Sequence, residues 1–423
     1  MTDFSPPRGT HDLLPPTSER LEHLAAAAAR LARTFGFRRI DTPAFEHTEL
    51  FVRGVGETTD VVTKEMYTFE DRGKRSLTLR PEGTTPVMRA YLNDRQSLPT
   101  PFKAYYIVPM FRHERPQAGR SRQHTQFGVE VIDSPAPLAD VEVIVVGQRL
   151  LTNHGGAVMA GLRRLRLLLN SIGDHKCRPA YREALVAFLE ERKDRLRDEH
   201  RERFRDNPLR VLDCKDQACR SVTEGAPRTL DYLCDECREH FEAVQAGLRD
   251  EGIGFEIDHR LVRGLDYYTR TAFEFVSDVL GPTRSTLCGG GRYDGLAEAI
   301  GGPPTPGVGF GMGLERVVLA MEKEGLAADY GGLEIFVVAL GEEARRRAAA
   351  LVRELRERGV SADRSLEDRP LKAQLRQADR SGAEYAAIIG ERELADGVVT
   401  MRSFGDGRQE RVSLSGVMEW LAR

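Results

Sequence analysis

The sequence predicts an α+β fold with a charged helical insertion and a smaller α/β domain toward its C-terminal end. Three observations predict it. Two strand-like segments, 105–111 and 127–132, flank an arginine-rich connection. From 190 to 206, seven basic and seven acidic residues fill seventeen positions, a density that suits a solvated helix face. From 333 onward, short apolar runs alternate with helix-length runs, the pattern of an α/β domain. A length of 423 residues suits two or three domains and is enough to bury a large core without disulfide or metal staples.

The elements follow in order. A helix is expected over 18–35, because Leu21, Leu24, Ala28, Leu31, Ala32 and Phe35 keep a helical period and Gly36 suits the stop. A mixed apolar stretch over 37–51 is interrupted at Pro43, and a short strand over 77–80 ends at Pro81. After the two central strands, 140–152 reads as a helix and 157–170 as a second apolar segment. The texture changes near Ser171, and 171–254 reads as an inserted module. Strand texture returns at 255–257, 271–276, 285–288 and 308–312. A helix from Leu314 then places Leu314, Val317, Val318 and Met321 on one face. The expected parts are thus 1–170 with 255–328, the insertion 171–254, and a C-terminal domain over 331–423. The last should contain a strand over 333–340, a helix over 342–358, a strand near Val360, a helix over 371–380, a strand over 385–389, two further short strands and a helix around Trp420.

The 62 basic and 65 acidic residues give a formal net charge of −3, so no global field points to nucleic acid or to acidic disorder. Eight of the 62 are lysine, leaving 54 arginines. That surplus fits a GC-rich genome or a need for guanidinium forks at phosphate and carboxylate, and composition leaves both open. No run of ~18 apolar residues predicts a transmembrane helix. The polar, proline-rich start lacks the basic and apolar regions of a signal peptide, which points to the cytoplasm. Six cysteines are too few for a secreted disulfide scaffold. Four of them, Cys214, Cys219, Cys234 and Cys237, have roughly the spacing of a four-thiolate structural zinc site, and four reduced thiols are the alternative. Cys177 and Cys288 read as buried thiols.

Two stretches suggest chemistry. The connection from Arg112 to Arg122 carries four arginines against one glutamate, a local charge of +3. Arg112 and Arg120 would offer polyphosphate fixed forks, and an ordinary exposed hairpin tip is the alternative. No G-x-x-x-x-G-K-[ST] sequence occurs, so the common P-loop route to ATP is absent. Gly307-Val-Gly-Phe-Gly-Met-Gly-Leu-Glu-Arg316 sets alternating glycines on a strand that enters a helix. The glycines would permit close approach of a flat ligand, and Arg316 would reach phosphate from the first turn. The spacing does not fit the dinucleotide fingerprint; a tightly packed strand–helix junction is the other reading.

Together these stretches resemble the class II aminoacyl-tRNA synthetases. Arg112-His-Glu114 is similar to that class's motif 2, Gly309-Phe-Gly-Met-Gly-Leu-Glu-Arg316 to motif 3, and Pro43 to the motif 1 proline. Arg263-Gly-Leu-Asp-Tyr-Tyr-Thr269 and Gly289-Gly-Gly-Arg-Tyr-Asp-Gly-Leu296 closely resemble the two signatures of the histidyl-tRNA synthetase family. Arg8-Gly-Thr-His-Asp12, Leu79-Arg-Pro-Glu-Gly-Thr84 and the run from Phe111 to Gln117 through Gln126 and Glu130 also fit it.

The resemblance covers the whole chain and implies an antiparallel sheet flanked by helices, a homodimer and a C-terminal anticodon-binding domain. It implies ATP-dependent activation of L-histidine to histidyl-adenylate, then transfer to the 3′ end of tRNA(His), with Mg²⁺ on the outer phosphates. Arg112, Arg263 and Glu82 take catalytic places in it. Arg112, Glu114, Arg120 and Arg316 hold ATP. Arg263 stands near the α-phosphate, where a fixed guanidinium offsets charge in an in-line displacement; its alternative is a salt bridge to Asp266 or a nearby acid. Arg112 and Arg263 also border the histidine. Glu130 and Tyr268 hydrogen-bond the imidazole, so that ligands lacking the matching groups leave polar atoms unpaired. Glu82, Thr84 and Gln126 hold the α-amino group, with Gly83 between the first two. Tyr267 closes the wall and Tyr293 lies beside it. Arg115 and Gln117 are the candidates for reading the tRNA acceptor end. The competing function is the regulatory paralogue that serves as a subunit of ATP phosphoribosyltransferase. It usually lacks the C-terminal domain and the signature arginines, both of which this chain has.

Overall fold

The structure is a computed structural model that describes residues 4–114, 121–152, 159–214, 216–281, 285–328 and 332–422. The chain divides into two compact units, Met1–Ala327 and Ala328–Arg423.

The first unit opens with α1 (Thr17–Thr34), β1 (Arg38–Arg39), β2 (Phe45–His47), α2 (Thr48–Val55), β3 (Tyr67–Glu70) and β4 (Ser76–Leu79). It continues with α3 (Thr84–Asp94), β5 (Phe102–Phe111), β6 (Gln123–Ile132), α4 (Pro137–Leu151) and β7 (Leu165–Ser171). A helical segment follows, α5 (Arg178–Glu190), α6 (Asp198–Arg203), α7 (Leu209–Asp213), α8 (Gln217–Val222) and α9 (Asp235–Asp250). The chain returns through β8 (Glu256–Ile257), β9 (Thr269–Ser277), β10 (Thr286–Arg292), α10 (Leu296–Ala299), β11 (Gly307–Gly313) and α11 (Leu314–Lys323).

Eight of these strands form one sheet in the order β1-β5-β6-β11-β10-β9-β7-β8. Every pairing from β5 to β7 is antiparallel; the two edge pairings are parallel. Strand alternation gives the sheet two different faces. Phe127, Val129 and Val131 on β6, Phe273 and Phe275 on β9, and Phe310 and Met312 on β11 point into one core with α1, α4 and α11. The intervening residues, such as Gln126, Gly128 and Glu130, point the other way and build the functional face. α1 joins the core through Leu24, Ala27, Ala28, Leu31 and Ala32, all buried at helical spacing.

One sequence expectation needs extension. The strand expected to stop at Cys288 continues through Gly289, Gly290 and Gly291 to Arg292. Glycine usually weakens a strand because it packs nothing. Here β10 lies between β9 and β11, and neighbouring side chains fill the space above the glycines.

The second unit contains β12 (Ile335–Ala339), α12 (Glu342–Glu357), β13 (Ala362–Arg364), α13 (Leu371–Arg380), β14 (Tyr385–Ile389), α14 (Glu391–Asp396), β15 (Val398–Ser403), β16 (Gln409–Ser413) and α15 (Val417–Leu421). Its sheet runs β13-β12-β14-β15-β16, parallel among the first three and antiparallel beyond. β12 is apolar at every position because both its faces are covered. Ile335 and Val337 meet Leu351 and Leu355 of α12, while Phe336 and Val338 meet Ala378 of α13. No helix among the described residues is long and apolar enough to cross a membrane.

Candidate active site

The site grows from the register of three strands. β5 and β6 set Tyr106 opposite Gly128, and β6 and β11 set Glu130 opposite Gly309 and Gln126 opposite Gly313. A Cβ at Gly309 would lie 1.8 Å from Glu130 Oε2. At Gly311 it would lie 2.6 Å from Gln126 Nε2, and at Gly307 2.2 Å from the Tyr293 ring. The alternating glycines therefore make room for the protein's own Tyr293, Glu130 and Gln126. Gly311 and Gly313 also line the cleft, where the strand was expected to permit close approach of a flat ligand. Gly83 and Gly128 do the same for the ring of Tyr106, which a Cβ would approach to 2.4 and 2.2 Å.

The polar groups placed this way form a connected network. Glu82 accepts hydrogen bonds from the amides of Thr84 (2.7 Å) and Thr85 (2.9 Å) at the start of α3, where a carboxylate also complements the helix dipole. Tyr267 Oη donates to Glu82 at 3.4 Å. Glu130 accepts from Tyr293 Oη at 2.6 Å, Thr84 Oγ1 at 2.8 Å and Tyr106 Oη at 3.3 Å. Gln126 Nε2 donates to Tyr106 Oη at 3.0 Å. Glu130 is 0% exposed and Tyr293 1%. Burial lifts the Glu130 carboxyl to about 8, opposed by the Tyr293 and Thr84 hydroxyls and assisted by the charge of Glu82. Burial also raises the phenols of Tyr106, Tyr267, Tyr268 and Tyr293.

Above this floor opens a cleft of about 1000 Å³. Glu82, Thr84, Gln126, Tyr267 and Tyr268 line it together with Arg112, Glu114, Arg263 and Arg316. Arg112 is aimed by a 2.7 Å bond from Nε to the Pro81 carbonyl and lies 3.8 Å from Glu114. Arg112 and Arg316 share one neighbourhood: burial first, then the charges of both, push His124 down to about 4. Arg263 pairs with Glu274 at 2.5 Å, and Glu274 is held in turn by Thr286 Oγ1 at 2.9 Å. Its guanidinium also lies 5.2 Å from the Tyr268 ring centre. Burial works against the Arg263 charge, but Tyr268 and Glu274 outweigh it and raise the pKa. A Cβ at Gly289 would lie 2.3 Å from Arg263 Nη1, which explains that glycine. The acid beside Arg263 is thus Glu274 and not Asp266, which instead accepts from Thr58 at 3.4 Å. Among the predicted residues, Glu130 and Tyr293 lie under the cleft floor, and Gly83 lies against Tyr106. Arg120, Arg115 and Gln117 lie outside the described residues.

Sequence reasoning missed Tyr106, Glu274 and the buried pair Arg292–Asp140. Tyr106 could have been found from strand alternation, since Gly128 faces it across the hairpin. Arg292 is 0% exposed and bonds Asp140 through Nε at 3.1 Å and through Nη2. Asp140 also meets His240 of α9 at 3.3 Å. Only the fold brings those three together.

The four-cysteine site is corrected. Cys234 and Cys237 group with Asp174 and Cys177, while Cys214 and Cys219 group with His200. The spacing is right for one site, but the end of α7 with α8 and the start of α9 carry the two cysteine pairs to different neighbours. Cys288 is a buried free thiol.

An antiparallel sheet whose hairpin and glycine-rich strand bring arginines over a buried polar floor defines the catalytic body of a class II aminoacyl-tRNA synthetase. Residues 9–317 match the Histidyl-tRNA synthetase family and 334–423 the Anticodon binding domain family. The chain is 48% identical to the histidine–tRNA ligase of Desulfitobacterium hafniense over 419 residues, 98% of this chain and 96% of that one. It is 48% identical to the histidine–tRNA ligase of Anoxybacillus flavithermus over 415 residues, 97% of each. Apo S. aureus histidyl-tRNA synthetase superposes with a TM-score of 0.80 at 37% identity, covering 99% of this chain and 100% of that one. The chain belongs to the histidyl-tRNA synthetase family.

Proposed function

We propose that the protein is a histidine–tRNA ligase. The observation that carries this reading is one cleft lined by Arg112, Arg263 and Arg316 together with Glu82, Gln126, Tyr267 and Tyr268. In the first step a carboxylate oxygen of L-histidine attacks the α-phosphorus of ATP. The bond to the β-phosphate oxygen breaks, and pyrophosphate leaves. In the second step a hydroxyl of the terminal ribose of tRNA(His) attacks the adenylate carbonyl, and AMP leaves. No covalent enzyme nucleophile is needed.

Arg112 and Arg263 face the α-phosphate and offset its developing charge; Arg316, with Arg120, takes the outer phosphates. Arg263 is preset by Glu274 and needs little reorganisation to act. Glu82, Thr84 and Gln126 receive the α-amino group. Tyr268 and the Glu130 floor select the imidazole, with Tyr267 as wall. Mg²⁺ would neutralise the outer phosphates, and Glu114 and Glu65, both lining the cleft, supply the hard oxygen donors such an ion needs. The working form is a cytoplasmic homodimer, with 1–170 and 255–328 as catalytic body, 171–254 as insertion and 331–423 as anticodon reader. The last carries 16 basic and 16 acidic residues, so local patches rather than a net field must meet the tRNA. The regulatory-subunit alternative is not favoured, because this chain keeps the signature arginines and a C-terminal unit that matches the Anticodon binding domain family.

Histidine-dependent exchange of labelled pyrophosphate into ATP tests the reading. Exchange with histidine and none with other amino acids is expected. Folded protein that shows no exchange overturns it.

A further inference from the structure

Behind the Tyr268 bend lies a group of donors that the charging reaction does not use. Asp174 and Cys177 sit in the turn that starts α5, and Cys234 and Cys237 sit at the start of α9. One donor atom from each lies within 4.8 Å of every other. Cys177, Cys237 and Asp174 are buried, and Cys234 is half-buried.

The spacing of these donors is that of a tetrahedral ion. Two thiolates on one zinc, each at about 2.3 Å, lie about 3.8 Å apart, and a thiolate and a carboxylate oxygen about 3.6 Å apart. Cys177 Sγ lies 3.8 Å from Cys237 Sγ and 3.6 Å from Asp174 Oδ1. A disulfide would need about 2.05 Å, and all six cysteines are free. Three thiolates exclude hard ions such as Mg²⁺ and Ca²⁺ and select a soft or borderline one.

The surroundings suit an anionic metal centre. The Asp174 amide donates to Cys177 Sγ at 3.2 Å. Arg270 meets Asp174 Oδ2 at 3.4 Å and so offsets the charge of three thiolates and a carboxylate around a dication. The same turn supports the pocket wall. Arg178, next to Cys177, donates to the Tyr268 carbonyl and, at 3.1 Å, to that of Ile172. The Arg270 amide bonds the Gly173 carbonyl at 2.8 Å.

We propose that Cys177, Cys234, Cys237 and Asp174 form a tetrahedral Zn²⁺ site that ties the first turns of α5 and α9 together behind the Tyr268 bend. Cys214 and Cys219 are not ligands of this ion.

Zinc per chain is measured in wild-type protein and in Cys177→Ser, both from zinc-supplemented cells and purified without chelators. Cys177→Ser should lose one zinc per chain while keeping the wild-type circular dichroism spectrum. Wild-type protein without zinc, or a Cys177→Ser variant that keeps the full wild-type content, overturns the proposal. If the variant does not fold, ¹¹³Cd NMR of cadmium-loaded wild-type protein decides. A resonance in the range of three sulfurs and one oxygen is expected; its absence, or a four-sulfur resonance in its place, overturns the assignment.

Discussion

Glu130→Gln tests the floor of the cleft through its proton. Burial lifts this carboxyl from 4.5 to about 8. Between those values the folded chain holds a proton that the unfolded chain has released. The stability from this group is fully present below the unfolded value and is lost as pH rises through about 8. Each pH unit inside that window is worth about 1.4 kcal/mol. Raising the pH from about 5 to 8 therefore removes about 3–5 kcal/mol of wild-type stability by this route. Glutamine has no proton to lose. The stability difference, wild type minus Glu130→Gln, should fall by that amount across the interval. His124 acts in the opposite sense, because its folded value is pushed down to about 4; it is common to both proteins and cancels. Urea unfolding followed by far-ultraviolet circular dichroism is the assay, since the single tryptophan, Trp420, reports only on the C-terminal unit. Kinetics give a second readout, in which the KM for histidine should rise at least tenfold and that for ATP should change little. Parallel pH–stability curves for the two proteins would refute the buried-proton reasoning, and equal losses for both substrates would refute the imidazole assignment.

Two further outcomes follow from the packing. Gly309→Ala puts a Cβ 1.8 Å from Glu130 Oε2 and 2.5 Å from the Val129 carbonyl, so it should cost about 1–3 kcal/mol by overpacking and raise the KM for histidine. Gly313→Ala, whose Cβ would meet only Arg316 at 3.7 Å, should stay near wild-type stability; similar losses in the two variants would contradict the close-approach account. Arg292→Leu leaves Asp140 buried with only His240 beside it and should cost about 3–5 kcal/mol. Adding Asp140→Leu should recover part of that loss in urea unfolding, and a further loss would show that the pair is not the cause.

Much of the fold is legible in the chain because local rules act over short distances. The α1 period, the two halves of the hairpin and the strand–helix alternation after 333 are each visible within one window of sequence. Strand β10 is read short because its glycines count against a strand wherever no partner is visible. The site is legible as a set of motifs, since Arg112, Arg263, Glu130 and the Tyr267–Tyr268 pair all stand in recognisable runs. Glu274 is not, because nothing near it in sequence says that it faces Arg263 eleven positions earlier. The cysteines show the limit best: a spacing that suits one four-thiolate site is divided between two groups by the paths of α7, α8 and α9.

The sequence by itself therefore determined the class of fold, the family and the chemical types at the centre, because these depend on residue identity at short spacing. The tertiary structure decided which groups meet. It filled the glycine gaps with Tyr293, Glu130 and Gln126, it set Glu274 against Arg263, and it brought Cys177 and Asp174 to Cys234 and Cys237. The reason is physical. Burial, close approach and charge pairing depend on distances in space between residues far apart in the chain, and those distances exist only once the sheet has its register and the helices their packing.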